Sequence, residues 1–146
     1  MPRIVLALST AMMIVFIAPA ARGADIGQVK VSKGTVTIER SGQSLAADAG
    51  TRLQTADVVR TGGDGSVGIT MTDSSLLSAG PNSVLALDRY DFDSTTNEGR
   101  FDATLRRGTL AVVSGKLAKQ SPDAMTLHTP SAILGVRGTE FVVSAP

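Results

Sequence analysis

Apolar and polar residues alternate with a period of two along most of the chain beyond residue 24. In the segment QVKVSK, the alternation places Val29 and Val31 on one strand face. After a turn at Lys33–Gly34, Val36 and Ile38 are predicted to share a face of the next strand, so the two strands form a hairpin or a corner. Such alternation is typical of strands that bury one side and expose the other.

Comparable strands recur at intervals of about 8 to 12 residues, and glycine-bearing polar turns separate them. We predict turns near residues 41–42, 50, 62–65 and 80–82, and a hairpin or exposed loop in the polar stretch DSTTNEGR, residues 93–100. No window shows a convincing helical period, and β-branched residues occupy the predicted strands. The pattern therefore predicts an all-β single domain of many short strands, in a twisted solenoid-like or sandwich-like stack.

Two pairs of neighbouring aliphatic residues, Leu76–Leu77 and Val112–Val113, are expected to belong mainly to the core, although either pair could border a partner-binding patch. The whole chain has one tyrosine, four phenylalanines and no tryptophan, so its core must be built from Val, Leu and Ile. It also has no cysteine, which excludes disulfides and thiolate metal ligands.

The run TPSAILGVRGTEFVV near the C-terminus changes its phase in the middle. Leu134 and Val136 share one parity, whereas Phe141 and Val143 share the other, and the change falls at Gly138. A parity change at a glycine inside a strand predicts a bulge or a sharp corner.

Arg137 lies beside this predicted corner. Its guanidinium has five donors and could satisfy several free carbonyl oxygens there, with Glu140 or another acid balancing the charge. We therefore interpret Arg137 as a residue that fastens the fold rather than one that binds a ligand. The substitution Arg137→Ala is predicted to damage folding before it damages binding.

The N-terminus has the order of a secretory signal peptide. Arg3 is followed by the uncharged apolar run 4–20 and then by small residues, so cleavage is predicted after Ala20 or after Gly23. The rival interpretation is an uncleaved anchor, but the run is shorter than the roughly 20 residues of a spanning helix. We expect residues 1–23 to be a signal peptide and residues 24–146 to form the domain, without a stable membrane span after cleavage.

Removal of residues 1–23 changes the charge of the protein. The chain has fourteen basic and thirteen acidic residues, and Arg3 and Arg22 would leave with the signal. Twelve basic and thirteen acidic residues then remain, so the net charge becomes about −1. Since no basic tail or stripe is left, we do not expect a nucleic-acid partner.

With these segments identified, residues 24–146 resemble the FecR domain, a module of exported bacterial proteins. The opening GTVTIER and AGTRLQTADVVRTGGDGSVGITMTD, and the middle DSSLLSAGPNSVLAL, carry degenerate parts of the resemblance. The specific part is the terminal Thr-Pro followed by Val-Arg-Gly-Thr-x-Phe. Its residues here are Thr129, Pro130, Val136, Arg137, Gly138, Thr139 and Phe141.

Two positions depart from the pattern of the family. Ala56 precedes Asp57 where the family usually has glycine, and Ser74 stands where the middle motif usually has glycine. Each departure is expected to cost a preferred turn geometry without removing a chemical group.

The resemblance implies an all-β periplasmic module that meets other proteins or ligands and has no catalytic residues. Family members that regulate iron uptake also carry a cytoplasmic anti-sigma segment, a spanning helix and a further C-terminal domain. We do not recognise these segments in this sequence, so we expect that the sigma-factor role does not transfer.

Groups with catalytic or metal-binding potential are few. His128 is the single histidine and Asp123 is near it in sequence, but no segment resembles a nucleophile elbow. Asp91 and Asp93 are predicted on one strand face with Asp102 across the following hairpin, which leaves calcium binding and glycoside chemistry as minor alternatives. The segment GGDGS occurs once, without the period of calcium-binding repeats or the lysine of a phosphate loop. We expect neither a metal nor a cofactor.

These observations favour a non-enzymatic, periplasmic or secreted domain that acts as an interaction or sensory module of the cell envelope. Recognition of another envelope protein through a sheet edge or an exposed strand face is the favoured mechanism. The alternative is a binding module for a cell-wall glycan or small solute, which predicts a concave pocket with convergent polar groups. The third alternative is an enzyme with His128 as its base. The oligomeric state is left open.

Overall fold

The structure, a computed structural model, describes residues 14–15, 24–136 and 140–146. Within these ranges the strands form one curled, predominantly antiparallel sheet, which confirms the all-β prediction. The strands are β1 (Asp25–Lys33), β2 (Val36–Arg40), β3 (Gln43–Ala46), β4 (Arg52–Gln54), β5 (Val58–Thr61), β6 (Ser66–Met71), β7 (Leu76–Ala79), β8 (Val84–Phe92), β9 (Gly99–Val113), β10 (Met125–His128), β11 (Ile133–Gly135) and β12 (Glu140–Ala145).

Among the residues that the structure describes, helical structure is confined to the connection between β9 and β10. It consists of α1 (Lys116–Gln120) and a 3-10 turn at Pro122–Ala124. Both segments are too short to leave a helical period in the sequence, so the pattern of apolar residues did not reveal them. Among the described residues, no helix has the length and apolar character needed to cross a membrane.

The curled sheet has two arms that share β9. The first arm contains, in spatial order, β4, β1, β6, β7, the C-terminal half of β9 and β12. The second arm contains β3, β2, β5, β8, the N-terminal half of β9, β10 and β11. The chain therefore passes between the arms several times, most directly along β9 itself.

β9 changes its buried face where it passes from one arm to the other. Phe101 and Leu105 are buried in the N-terminal half, whereas Leu110 and Val112, of the opposite parity, are buried in the C-terminal half. The change occurs around Gly108, whose φ of 99° lies in the left-handed region. A bulge of this kind allows both halves of one long strand to face the same interior.

The two arms close over a single aliphatic core, which agrees with the sandwich-like alternative. Inward-facing residues of every long strand join one buried cluster. Its members include Val29, Ile69, Leu77 and Val112 from the first arm and Ile38, Val59, Leu85 and Leu127 from the second. The predicted Val, Leu and Ile composition of the core is thus confirmed, with Phe101 as its largest fully buried side chain.

The prediction that Val29 and Val31 share one face of β1 was wrong. Val29 is buried, but Val31 is half-exposed because the register of β1 against β6 shifts between these two residues. The shift reverses the face of the residues that follow it. β1 and β2 also do not pair with each other, so the turn at Lys33–Gly34 is a corner between the arms rather than a hairpin.

The two aliphatic pairs are each divided between the two faces of the sheet. Leu77 and Val112 are fully buried, whereas Leu76 and Val113 face outward. The expectation that both pairs lie mainly in the core was therefore wrong for one member of each. The reason is that successive side chains of a strand point to opposite faces.

Candidate interaction surface

The Thr-Pro element of the terminal motif forms the hairpin turn between β10 and β11. The amide of Thr129 donates to the carbonyl oxygen of Ala132 at 2.8 Å, and the amide of Ala132 donates to Thr129 Oγ1 at 3.1 Å. Pro130 is exposed within this turn. The side chain and the backbone of Thr129 thus close the turn together, which is a structural role.

The other end of the motif is described only at its flanks. Val136 is buried, and Phe141 is partly buried against the core. The predicted corner residues Arg137, Gly138 and Thr139 lie outside the described residues. The fastening role of Arg137 therefore stays a prediction, although the flanking residues do show the expected change of parity.

Asp57 is the motif acid that the structure places in the core. Its carboxylate accepts hydrogen bonds from Arg40 Nε at 2.9 Å, from Arg40 Nη2 at 2.7 Å and from the amide of Gln54 at 2.9 Å. Arg40 Nη2 also donates to the carbonyl oxygen of Arg52 at 3.0 Å. The hydrogen bond to Asp57 raises the pKa of the Arg40 guanidinium. Since every polar contact here is internal, this pair joins β2 to the β4–β5 turn and does not form a binding site.

Asp73 is a second fully buried acid, at the turn between β6 and β7. Its carboxylate accepts from the amide and hydroxyl of Ser75 at 3.1 and 2.8 Å, and from the amide of Leu117 at 3.2 Å. Its own amide donates to the hydroxyl oxygen of Tyr90 at 2.9 Å. Burial raises the pKa of Tyr90. These hydrogen bonds connect the turn to α1 and to β8, so the network has a structural role.

The three acids near the β8–β9 hairpin do not form the predicted carboxylate group. Asp91 pairs with Arg89 at 3.0 Å, and Asp102 pairs with Arg100 at 2.9 Å. Asp93 lies beyond β8, in the hairpin turn, where it accepts from the amide of Thr95 at 2.8 Å. Within the described ranges, no group of three or more His, Cys, Asp or Glu residues is arranged to hold a metal ion.

A groove with a volume of about 650 Å³ lies beside this hairpin. Tyr90 and Phe92 are its aromatic residues, and Tyr90 is itself almost fully buried. The acidic residues that line it are Asp25, Asp91, Asp93 and Glu98. An open groove with so little exposed aromatic surface differs from the mainly apolar pockets that hold small organic ligands.

A more distinctive surface lies on the outside of the first arm. Within residues 24–136 and 140–146, five large apolar side chains are exposed, and four of them face outward from this arm. They are Val31 (50% exposed), Leu76 (44%), Val113 (37%) and Val142 (70%). We call the surface formed by these four residues the apolar face.

The strand register brings the members of the apolar face together from distant parts of the sequence. Leu76 lies directly opposite Val113 in the β7–β9 pair. The neighbouring row crosses the arm from Val31 through Gly68, Ser78 and Ala111 to Val142. Three small residues thus separate two exposed valines, so the centre of the face is shallow as well as apolar.

Among the described residues, the charged side chains lie at the margins of the apolar face, where the exposed Lys30 is next to Val31 on β1. The central segments 66–71, 76–79 and 108–113 contain no charged residue. The register places Arg52 and Lys33 at one border of the arm and Glu140 at the opposite border. An uncharged centre with a polar rim is typical of a protein–protein interface.

The outer face of the second arm has the opposite character. Arg60 pairs with Glu39 at 2.6 Å across β2 and β5. In the β8–β9 pair, Arg89 lies opposite Asp102 and Asp91 lies opposite Arg100, so four charges alternate across two strands. The hydrogen bond to Asp102 raises the pKa of the exposed Arg100. The two outer faces therefore differ, and only that of the first arm has the surface chemistry of an interface.

The structure places His128 and Asp123 on different elements. His128 is on β10, opposite Ile133 of β11 and Thr104 of β9, whereas Asp123 belongs to the exposed 3-10 turn. The sequence analysis named the pairs of Leu76 and Val113 as a possible border of a partner-binding patch, but it missed the apolar face as a whole because its members come from four strands. The signal that could have found it is the absence of charge from three successive first-arm segments.

The comparisons with known proteins agree with the motif at the C-terminus. The family model described as FecR protein matches residues 57–146 of this chain. Strands β1 to β4 precede the matched residues but pair within the same curled sheet. No curated protein and no solved structure matches the chain.

Proposed function

The chain belongs to the FecR family, whose domains are generally signalling or regulatory modules, and from that premise we propose that it binds a protein partner in the bacterial cell envelope. Binding takes place on the apolar face. The single observation that supports this proposal is the presence of Val31, Leu76, Val113 and Val142 on one outer sheet face whose central segments carry no charge. Exposed apolar side chains gathered on one face of a sheet, with polar residues around them, generally mark an interaction site.

The chemistry of the rim suggests the chemistry of the partner. Arg52 and Lys33 lie at the border formed by β1 and β4, and both are exposed. A complementary protein surface has an apolar centre and acidic side chains along that border. Burial of the apolar centre provides most of the affinity, and the rim charges orient the partner and raise its association rate.

The envelope location rests on the predicted signal peptide, residues 1–23. The test is the mass of the protein recovered from the periplasmic fraction. A mature N-terminus at Ala21 or Ala24 supports the location. A full-length mass from the cytoplasmic fraction would contradict it.

The test of the interaction compares two single substitutions that each add one lysine to an outer face. Leu76→Lys places a charge in the middle of the apolar face. Ala46→Lys adds the same charge on β3, at an exposed position of the second arm. Both residues are solvent-exposed, so we expect both variants to unfold within about 0.5 kcal/mol of the unsubstituted protein.

The measurement is crosslinking in intact envelopes, followed by affinity capture and identification of the crosslinked proteins. We expect one recurrent protein to be captured by the unsubstituted chain and by Ala46→Lys, and its yield to fall at least tenfold with Leu76→Lys. Capture that is equal in the two variants would overturn the apolar face as the site. A folded chain that captures no protein would favour the glycan or small-solute alternative.

A further inference from the structure

β12 is an edge strand whose outer side pairs with no other described strand. β7 and β8 lie consecutively along one side of β9, since Leu76–Ala79 pairs with residues 110–113 and Val84 pairs with Arg107. β10 and β12 therefore occupy the other side of β9. Along that side, β12 ends the first arm and β11 ends the second.

β12 is the longest and least protected of the four edge strands. Natural sheets protect their edges with short strands, charged residues, prolines or bulges. β4 and β11 have three residues each and β3 has four, whereas β12 has six. Its only charged residue, Glu140, is at its first position. Nothing in the sequence of β12 prevents another strand from pairing with it.

The core is also incomplete beside this edge. Four partly buried apolar residues pack against the core, and three of them, Leu134, Phe141 and Val143, belong to β11 and β12. Phe141 and Val143 point inward from β12, but nothing described covers their outer side. A strand added to β12 would place its own inward-facing side chains there and complete their burial.

We propose that the added strand is β12 of a second copy of this chain, paired antiparallel across a two-fold axis at Val142. This pairing goes beyond the proposed partner binding, because it uses the strand edge rather than the apolar face. In an antiparallel pair, directly opposite residues share one face of the sheet. A two-fold axis at Val142 satisfies this rule for every residue from Glu140 to Ser144.

The side chains of β12 complement themselves in this register. On the inner face, Phe141 lies opposite Val143 of the second copy twice, and such aromatic–β-branched pairs stabilise sheets. On the outer face, Val142 meets its own copy and Glu140 faces Ser144. No like charges are placed opposite each other, which is the condition for an isologous interface.

The pairing also enlarges the apolar face. The first arms of the two copies become one continuous sheet, and Val142 of each copy lies at its centre. Two apolar faces then form a single surface on one side of the dimer. A pair of short strands buries less area than a stable interface generally requires, so we expect a reversible dimer that depends on protein concentration.

A cysteine at the two-fold axis provides the direct test, because the chain contains no cysteine of its own. Opposite Cα atoms in an antiparallel pair are about 4.5 to 5.5 Å apart, within the range that a disulfide spans. The matched control is Val31→Cys, another exposed valine of the apolar face. It is four strand spacings from β12, about 19 Å away, so its two copies cannot meet across the proposed axis.

We expect the full-length Val142→Cys variant to form a covalent dimer under mild oxidation at least about tenfold faster than Val31→Cys, because pairing raises the effective concentration of its thiol. Equal rates would overturn the pairing. The same experiment in a denaturant gives equal rates if folded pairing is responsible for the difference.

Charge substitutions at the same position test the non-covalent dimer. Val142→Lys and Val142→Glu each place like charges opposite each other at the axis, so each alone should sediment as a monomer at concentrations where the unsubstituted chain dimerises. A mixture of the two should recover the dimer, and Val31→Lys should dimerise normally. If the unsubstituted chain remains monomeric, or if the mixture does not associate, a second copy is not the occupant of the edge.

Discussion

The backbone of Gly108 passes so close to Ser83 that a Cβ atom at position 108 would lie 2.5 Å from the Cα atom of Ser83. The Ser83 hydroxyl also accepts a hydrogen bond from the amide of Thr109 at 3.1 Å. This contact occurs where β9 passes from the second arm to the first. The closure of the two arms over one core therefore depends on a residue without a side chain at position 108.

We predict that Gly108→Ala destabilises the protein by more than about 3 kcal/mol, since it combines a left-handed φ with a backbone clash. Two glycines provide graded controls. Gly42 has a φ of 77° but open space around it, so Gly42→Ala should cost about 1 kcal/mol. Gly135 has neither feature, so Gly135→Ala should change stability by less than about 0.5 kcal/mol. Urea unfolding measures all three, and equal losses would contradict the assigned role of Gly108.

The buried pair of Arg40 and Asp57 should be far more important for stability than the exposed pair of Glu39 and Arg60. Asp57 is 1% exposed, and its removal leaves Arg40 without its carboxylate partner and the amide of Gln54 without its acceptor. We predict that Asp57→Ala costs about 2 to 4 kcal/mol. Glu39→Ala should cost less than about 1 kcal/mol, because solvent screens that pair. Chemical denaturation measures the free energy of unfolding of both variants. A similar loss of stability in both would contradict the stabilising role of the Arg40–Asp57 pair.

Ala56 and Ser74, the two departures from the family pattern, both adopt left-handed backbone conformations, with φ of 73° and 70°. These conformations agree with the expectation that each replacement of the family's glycine costs a preferred turn geometry. We predict that Ala56→Gly and Ser74→Gly each stabilise the protein by about 1 kcal/mol, since glycine adopts this conformation without the steric penalty of a Cβ. Ala46→Gly, in an exposed strand position, should destabilise it by about 0.5 to 1 kcal/mol. Thermal unfolding is the measurement: the melting temperature should rise for Ala56→Gly and Ser74→Gly and fall for Ala46→Gly.

Tyr90 should titrate above the ordinary tyrosine pKa of about 10. Burial is the main cause, because it disfavours the charged phenolate. The neutral phenol is thus favoured in the folded state, and this contribution to stability is complete below pH 10 and is lost as the pH rises through the higher folded pKa. Tyr90 is the only tyrosine and the chain has no tryptophan, so absorbance at 295 nm reports this residue alone. We expect a pKa near 10 in a denaturant and a higher one in the native protein; equal values would contradict the burial argument.

Much of the local structure was predictable because strand periodicity and turn chemistry are local properties. The turn at 62–65 forms as expected, with the amide of Gly65 donating to the carbonyl oxygen of Gly62 at 3.0 Å. The predicted hairpin forms between β8 and β9, with residues 93–98 as its loop, whereas Gly99 and Arg100 already belong to β9. The exposure of Val31 was not predictable, because the bulge before it depends on its pairing with β6 rather than on its neighbours in sequence.

The sequence by itself determined the all-β class, the aliphatic core, the family and the parity of most strands, since each depends on composition or on residues a few positions apart. Only the tertiary structure decided which strands became neighbours. Long-range pairing brought Val31 and Val142, from opposite ends of the domain, onto one sheet face. Among the described strands, it also left one side of β12 unpaired. Both features arise from backbone hydrogen bonds between distant strands, which the alternation of side chains within a single strand does not specify.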